Sequence, residues 1–100
     1  MNIFNKARGE CAININGSPQ KLCLTLGALA ELETAFAADN MAHLAQKMGK
    51  LSAKDFLIVL AILLKGGGKA IGLEDLAAAQ IDTKEAVIAI SKTIAIAFGE

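Results

Sequence analysis

The chain has 100 residues, of which 54% are hydrophobic, and its ten basic and ten acidic residues cancel. This composition is typical of one globular domain and excludes a disordered chain. Neutral charge disfavours a nucleic-acid partner, because phosphate recognition depends on a basic surface. The longest apolar run is shorter than the roughly 20 residues that cross a bilayer, so we expect no membrane partner and a cytoplasmic location.

Alternating apolar and polar residues predict a β-hairpin over residues 8–25. The alternation runs over residues 10–15 and again over 20–25, and Asn16-Gly17-Ser18-Pro19 is predicted to form the turn between them. Because two strands alone are marginally stable in water, we expect the hairpin to pack on helices.

The two cysteines fall in the two predicted strands. Cys11 lies on the apolar face of the first strand, whereas Leu22 and Leu24 define the apolar face of the second and leave Cys23 on the other side. A disulfide is therefore geometrically disfavoured, and we expect two free thiols, as in a reducing compartment.

Five helices are predicted after the hairpin, each delimited by capping or helix-breaking residues. The first follows Thr25, the second is 41–48, the third follows Ser52 and ends at Gly66-Gly67-Gly68, the fourth is 73–79, and the last runs from Asp82 or Thr83 to Phe98. The predicted fold class is α+β, with an N-terminal β-hairpin packed on a bundle of four to five short helices. We expect one domain over residues 1–100, with its helical part at 26–98.

The third predicted helix carries the apolar run from Phe56 to Leu64. Such a helix is apolar on every side, so it is either buried in the core or presented to a partner. A domain of this size can surround few helices completely. Part of this surface is therefore expected to serve a partner or self-association.

The last predicted helix has more apolar residues than one face can hold. Its predicted buried stripe comprises Val87, Ile90, Ile94, Ala97 and Phe98. At about 100° per residue, Ile88 falls about 100° from this stripe and Ile96 about 180° from it. These two side chains are either covered by another element or left as contact points.

No catalytic, metal or cofactor site is predicted. The segment Gly66-Gly67-Gly68-Lys69 departs from the phosphate-binding loop pattern at Leu63 and Ala70, so a helix stop is the favoured interpretation. His43 is the only histidine and has no neighbouring zinc ligands. We therefore expect a protein that is not an enzyme and uses no cofactor.

Four segments, in this order and spacing, resemble a known protein family over nearly the whole chain. They are residues 5–10, with Arg8-Gly9-Glu10, residues 26–33, reading Leu-Gly-Ala-Leu-Ala-Glu-Leu-Glu, residues 51–55, and residues 64–68, with the glycine triplet. The family is that of gene transfer agent and phage tail proteins, usually grouped with tail assembly chaperones. Members often carry an aromatic residue after the hairpin turn, where this chain has Gln20 and Lys21.

The resemblance implies a non-enzymatic role in building a phage-like tail inside a bacterial host, and it allows virion association. The implied partner is the tape-measure protein, whose apolar helices a chaperone would hold during assembly. The tail tube protein is a second implied partner. The family is sometimes named for the tail tube, so a structural subunit that forms stable rings is the alternative. A small DNA-binding regulator is a weaker alternative, because residues 56–64 contain no Lys or Arg.

A helix-in-groove mode fits an aliphatic-rich, neutral domain. The apolar positions that do not fit one core stripe are predicted to line the groove: Phe56, Leu60, Ile88 and Ile96. Self-association into homo-oligomers is a further expectation.

Overall fold

The computed structural model describes residues 10–97, and the side chains of residues 96 and 97 are outside the description. The described elements are β1 (Glu10–Ile15), β2 (Ser18–Cys23), α1 (Leu26–Ala35), α2 (Met41–Met48), α3 (Ala53–Gly66), α4 (Leu73–Ala78) and α5 (Thr83–Ala97). An antiparallel hairpin followed by helices confirms the predicted α+β class. The predicted hairpin start at residue 8 and the predicted helix end at Phe98 lie outside the described residues.

The hairpin turn is shorter than predicted. Ile15 pairs with Ser18, so the turn contains only Asn16 and Gly17, with φ of 53° and 82°. Positive φ at both central residues is the requirement of a type I′ turn, which Asn-Gly satisfies best. Pro19 lies within β2 opposite Asn14. That pair is not hydrogen-bonded in this register, so proline breaks no ladder bond.

The strand register places the two cysteines on opposite faces, as predicted. Cys11 pairs with Leu22, whereas Cys23 pairs with Glu10, the neighbour of Cys11. Neither Cys11 nor Cys23 is in a disulfide bond; Cys23 is buried and Cys11 is half-buried. The alternation predicts that Glu10 faces solvent, but it is buried, with the ammonium of Lys21 at 3.8 Å from its carboxylate.

The helix starts follow local capping chemistry. The Thr25 side chain accepts a hydrogen bond from the backbone of Ala28 at 3.0 Å, and Asn40 accepts one from His43 at 2.8 Å. Ser52 and Asp55 form the predicted capping box of α3, in which each side chain bonds the other's backbone amide. These short-range bonds fix where α1, α2 and α3 begin.

Helix α3 is the centre of the molecule and contacts β2, α1 and α4. All nine residues of its apolar run are buried or half-buried, so the run belongs largely to the core. The core combines side chains of both strands and all five helices; its largest fully buried members are Ile13, Leu22, Leu32, Leu44, Val59, Leu60, Leu63, Leu64, Leu76 and Thr93.

Helix α5 packs on the hairpin through a different face from the one predicted. Its buried residues are Ala86, Ala89, Ile90 and Thr93, whereas Val87 is 44% exposed. Alanines let the helix approach β1 closely. The Thr93 hydroxyl donates to the carbonyl of Ala89 at 2.8 Å, which lets a polar residue be fully buried. The predicted stripe is correct at Ile90 and Ile94 and wrong at Val87, so the buried face is rotated by about one residue toward Ala86.

Both edges of the two-stranded sheet are partly covered. On β1, the Asn14 amide donates to the Glu85 carboxylate at 2.8 Å. At the adjoining turn, the Asn16 amide donates to the Gln80 carbonyl at 3.0 Å, and the Asn16 side-chain oxygen accepts from the Gln80 amide at 2.7 Å. On β2, the end of α3 lies so close that a side chain at Gly66 would overlap the Cys23 carbonyl. These contacts tie the hairpin to α3 and α5.

Candidate partner-binding groove

An open groove of about 400 Å³ lies between the N-terminal halves of α3 and α5, next to α4. Helix α3 packs on β2 while α5 packs mainly on β1, and the short α4 contacts α3. The gap between the two longer helices is therefore only partly filled. Its lining residues are Leu51, Ser52, Ala53, Phe56, Leu57, Leu60, Leu76, Ala77, Ala79, Ile81, Thr83, Ala86 and Val87.

The groove is apolar and uncharged. Among the described residues that line it, the polar side chains are the hydroxyls of Ser52 and Thr83, at the starts of α3 and α5. The Ser52 hydroxyl already accepts the Asp55 amide at 3.1 Å. A concave surface of this kind favours aliphatic side chains and offers no charge to a catalytic or metal site.

The structure brings together two of the four predicted groove residues. Phe56 lines the groove and is half-buried, and Leu60 lines its floor with 2% of its surface exposed. Ile88 is 46% exposed and follows the groove residue Val87, but is not among the lining residues. The backbone of Ile96 lies in α5, and its side chain is outside the description.

Several groove residues are not predicted from the sequence. Apolar spacing assigns Val87 to the core stripe of the last helix, and it gives no role in a groove to Leu76, Ile81 or the alanines of α4. One signal is present in the sequence: the fourth predicted helix, 73–79, is short, so its apolar side chains cannot close a gap between two longer helices. An alternative stripe of Ala86, Ile90 and Thr93 also places Val87 at the surface.

The remaining candidate sites have local structural roles. His43 accepts a hydrogen bond from the Asp39 amide at 3.2 Å, within the turn before α2. Gly66 and Gly67 pack on β2, and Gly68 has a φ of +102° just after α3. Across residues 10–97, no group of three or more His, Cys, Asp or Glu side chains is arranged to hold a metal ion.

Comparison of the chain with models of known protein families shows which class of protein it belongs to. The chain is a phage tail protein, which supports a structural or assembly role in a tail. It belongs to the family described as phage tail tube protein, GTA-gp10, whose profile matches residues 8–100. Neither the curated proteins nor the solved structures contain a match to it. Within the described part of the chain, no helix is long and apolar enough to cross a membrane.

Proposed function

We propose that this protein is a tail assembly chaperone that holds an apolar helix of the tape-measure protein in the groove between α3 and α5. The observation that carries the proposal is the groove itself. A helix in such a groove anchors through residues at i, i+3, i+4 and i+7, which need an elongated aliphatic surface. Phe56 and Val87 would form its walls and Leu60 its floor.

The partly covered edges of the sheet make binding through helices more favourable than the addition of a partner strand. Strand addition requires an edge with free backbone donors and acceptors. Here Glu85 and Gln80 occupy part of the β1 edge, and Gly66 and Gly67 lie against carbonyls of the β2 edge. The accessible apolar side chains belong to helices, which makes a helical partner the better match.

A structural tail subunit is the second candidate, because the family description names the tail tube. A subunit of this kind would form stable rings in solution and remain in finished particles. A chaperone would be recovered free or transiently bound and be absent from particles. Light scattering on the purified protein and mass spectrometry of purified particles separate these two roles.

The groove is tested by co-expressing the protein with a phage tape-measure protein and measuring how much of that partner co-purifies. Val87 is already partly exposed, so Val87→Asp should fold while placing a charge in the groove wall. We expect it to lower recovery about tenfold, as for loss of an interface anchor. Ile88→Asp and Ile96→Asp, measured in the same way, test those two predicted contacts.

Leu73→Asp is the matched control, since Leu73 is an exposed leucine that does not line the groove. Leu60→Asp is unsuitable because it would bury a charge in the core and unfold the protein. Circular dichroism verifies that each variant is folded. Full recovery of the tape-measure protein by folded Val87→Asp would reject the groove as its binding site.

A further inference from the structure

Helix α4 is the least firmly anchored of the three helices that line the groove. Of its six residues, Leu76 is the buried one, and Leu73 at its first position is 48% exposed. By contrast, α3 buries four side chains, and α5 also buries four among its described residues. Because buried apolar contacts oppose local opening, α4 should open at a lower free-energy cost than either neighbour.

The start of α4 is also weaker than the starts of the helices before it. Within residues 10–97, α1, α2 and α3 each begin with a side-chain capping bond, whereas α4 begins at Gly72, which forms none. Isolated helices shorter than roughly 12–15 residues are only marginally stable in water. The helical state of the six-residue α4 therefore depends mainly on the docking of Leu76 against the core.

Both ends of this part of the chain are held by the rest of the molecule. Ile71 before α4 and Ile81 after it are half-buried and pack on the core. The Gln80 amide donates to the Asn16 side-chain oxygen, and the Gln80 carbonyl accepts from the Asn16 amide. Residues 72–79 can therefore undock and return while the chain on either side stays in place.

The floor of the groove lies behind this segment. Leu60 and Ala86 line the groove, yet only 2% and 3% of their surfaces are exposed. The same groove is lined by Leu76, Ala77 and Ala79 of the segment. A partner side chain can therefore contact the floor over a useful area only when one wall moves away. The wall with the fewest buried side chains is α4.

From these contacts we infer that residues 72–79 undock from α3 as a local unit, while the rest of the fold stays intact, and that this opening exposes the groove floor to an apolar helix. The closed state shields Leu60 from water when no partner is bound, and the partner selects the open state. The opening is a property of the free protein. Only its consequence for binding rests on the chaperone role proposed above.

Amide hydrogen exchange of the full chain, followed residue by residue by NMR, tests the opening. The hydrogen-bonded amides of Leu76 and Ala79 report on α4, and those of Leu63 and Leu64 report on α3. We expect the α4 amides to exchange at least about 100-fold faster, because they need no global unfolding. Their rates should also depend weakly on low concentrations of urea, since local opening exposes little surface. Equal rates and equal urea dependence in both helices would overturn the inference.

Gly72→Ser tests whether this segment opens from the start of α4. Gly72 and Asp75 have the spacing of the capping box at the start of α3, and a β-carbon at Gly72 would lie 3.9 Å from the Asp75 carboxylate. The φ of Gly72 is −66°, which serine adopts without strain. Serine should complete a second capping box and slow exchange of the α4 amides about fivefold.

Gly72→Ala is the matched control, because alanine adds the β-carbon without a hydroxyl. It should leave the α4 exchange rates within about twofold of wild type, since alanine is a poor N-cap. An α4 exchange rate that Gly72→Ser leaves unchanged would contradict an opening of this segment.

The consequence for binding is measured by stopped-flow mixing with a soluble helical segment of a phage tape-measure protein. Gly72→Ser should lower the association rate by the same factor of about five, because it reduces the population of the open state. Gly72 is not among the residues that line the groove, so the variant removes no partner contact. An unchanged association rate in a variant whose α4 exchange is slowed would show that binding needs no opening.

The opening and the groove proposal can be rejected separately. Failure of the wild-type chain to bind the tape-measure segment, or full recovery of the partner by Val87→Asp, rejects the groove as the binding site. Exchange of the α4 amides still decides whether the segment opens. Slow exchange throughout α4 with normal binding rejects the opening and leaves the groove proposal intact.

Discussion

Gly66 and Gly67 show how single residues decide the packing of this fold. A β-carbon at Gly66 would overlap the Cys23 carbonyl oxygen, and one at Gly67 would overlap that of Lys21 and lie 2.8 Å from its carbonyl carbon. Neither glycine has a positive φ. Glycine is needed at both positions because helix and strand approach closely there, and not because the backbone adopts an unusual conformation.

We predict that Gly66→Ala and Gly67→Ala each lower the free energy of unfolding by about 2–4 kcal/mol. The added methyl meets backbone atoms that cannot rotate away, so α3 must move off β2, which is an overpacking effect at the upper end of the usual range. Urea denaturation followed by circular dichroism measures the change.

Gly27→Ala is the control for these variants. Gly27 is exposed in α1, and a β-carbon added there would have the Thr25 hydroxyl oxygen as its nearest neighbour, at 3.9 Å. Alanine there should stabilise the protein by about 0.4–1 kcal/mol through lower unfolded-state entropy and better helix propensity. Equal stability losses at Gly27 and Gly66 would show that close approach to β2 is not the cause.

At the scale of elements, α5 illustrates why apolar periodicity leaves a helix face uncertain. The spacing of Val87, Ile90 and Ile94 fits a helix stripe, and so does the spacing of Ala86, Ile90 and Thr93. The second set is the buried one, because the hairpin accepts small side chains at close range. The apolar pattern of a helix therefore predicts that one side is buried more reliably than it predicts which residues form that side.

This difference predicts unequal effects at two residues that the sequence placed in one stripe. Ile90→Ala should cost about 2–5 kcal/mol, since it leaves a cavity against the hairpin. Val87→Ala should change stability by about 0.5 kcal/mol or less, as expected for a partly exposed site. Chemical denaturation of both variants measures the two effects. A large loss for Val87→Ala would contradict the observed rotation of α5.

At the scale of the whole molecule, neutral charge and an apolar groove determine the kind of binding that we expect. Ten basic and ten acidic residues cancel, and no charged side chain is among the described residues lining the groove. Long-range electrostatic attraction therefore has little part in partner capture. Binding should depend on contact between apolar surfaces at short range.

If the proposed tape-measure helix is the partner, we predict that its affinity changes by less than about threefold between roughly 0.05 and 0.5 M sodium chloride, because screening acts on charge pairs and the groove provides none. Isothermal titration calorimetry with a soluble tape-measure segment measures the affinity and should also give a negative heat-capacity change. A steep loss of affinity with salt would indicate an electrostatic contact elsewhere on the surface.

The sequence by itself determined the hairpin, the α+β class, the separation of the two cysteines and the starts of α1, α2 and α3. Each depends on residues within one turn or on strand alternation, such as Ser52 with Asp55. Only the tertiary structure decided the rotation of α5, the need for glycine at Gly66 and the walls of the groove. These depend on contacts between distant parts of the chain, such as Asn14 with Glu85, and local periodicity carries no record of such pairings.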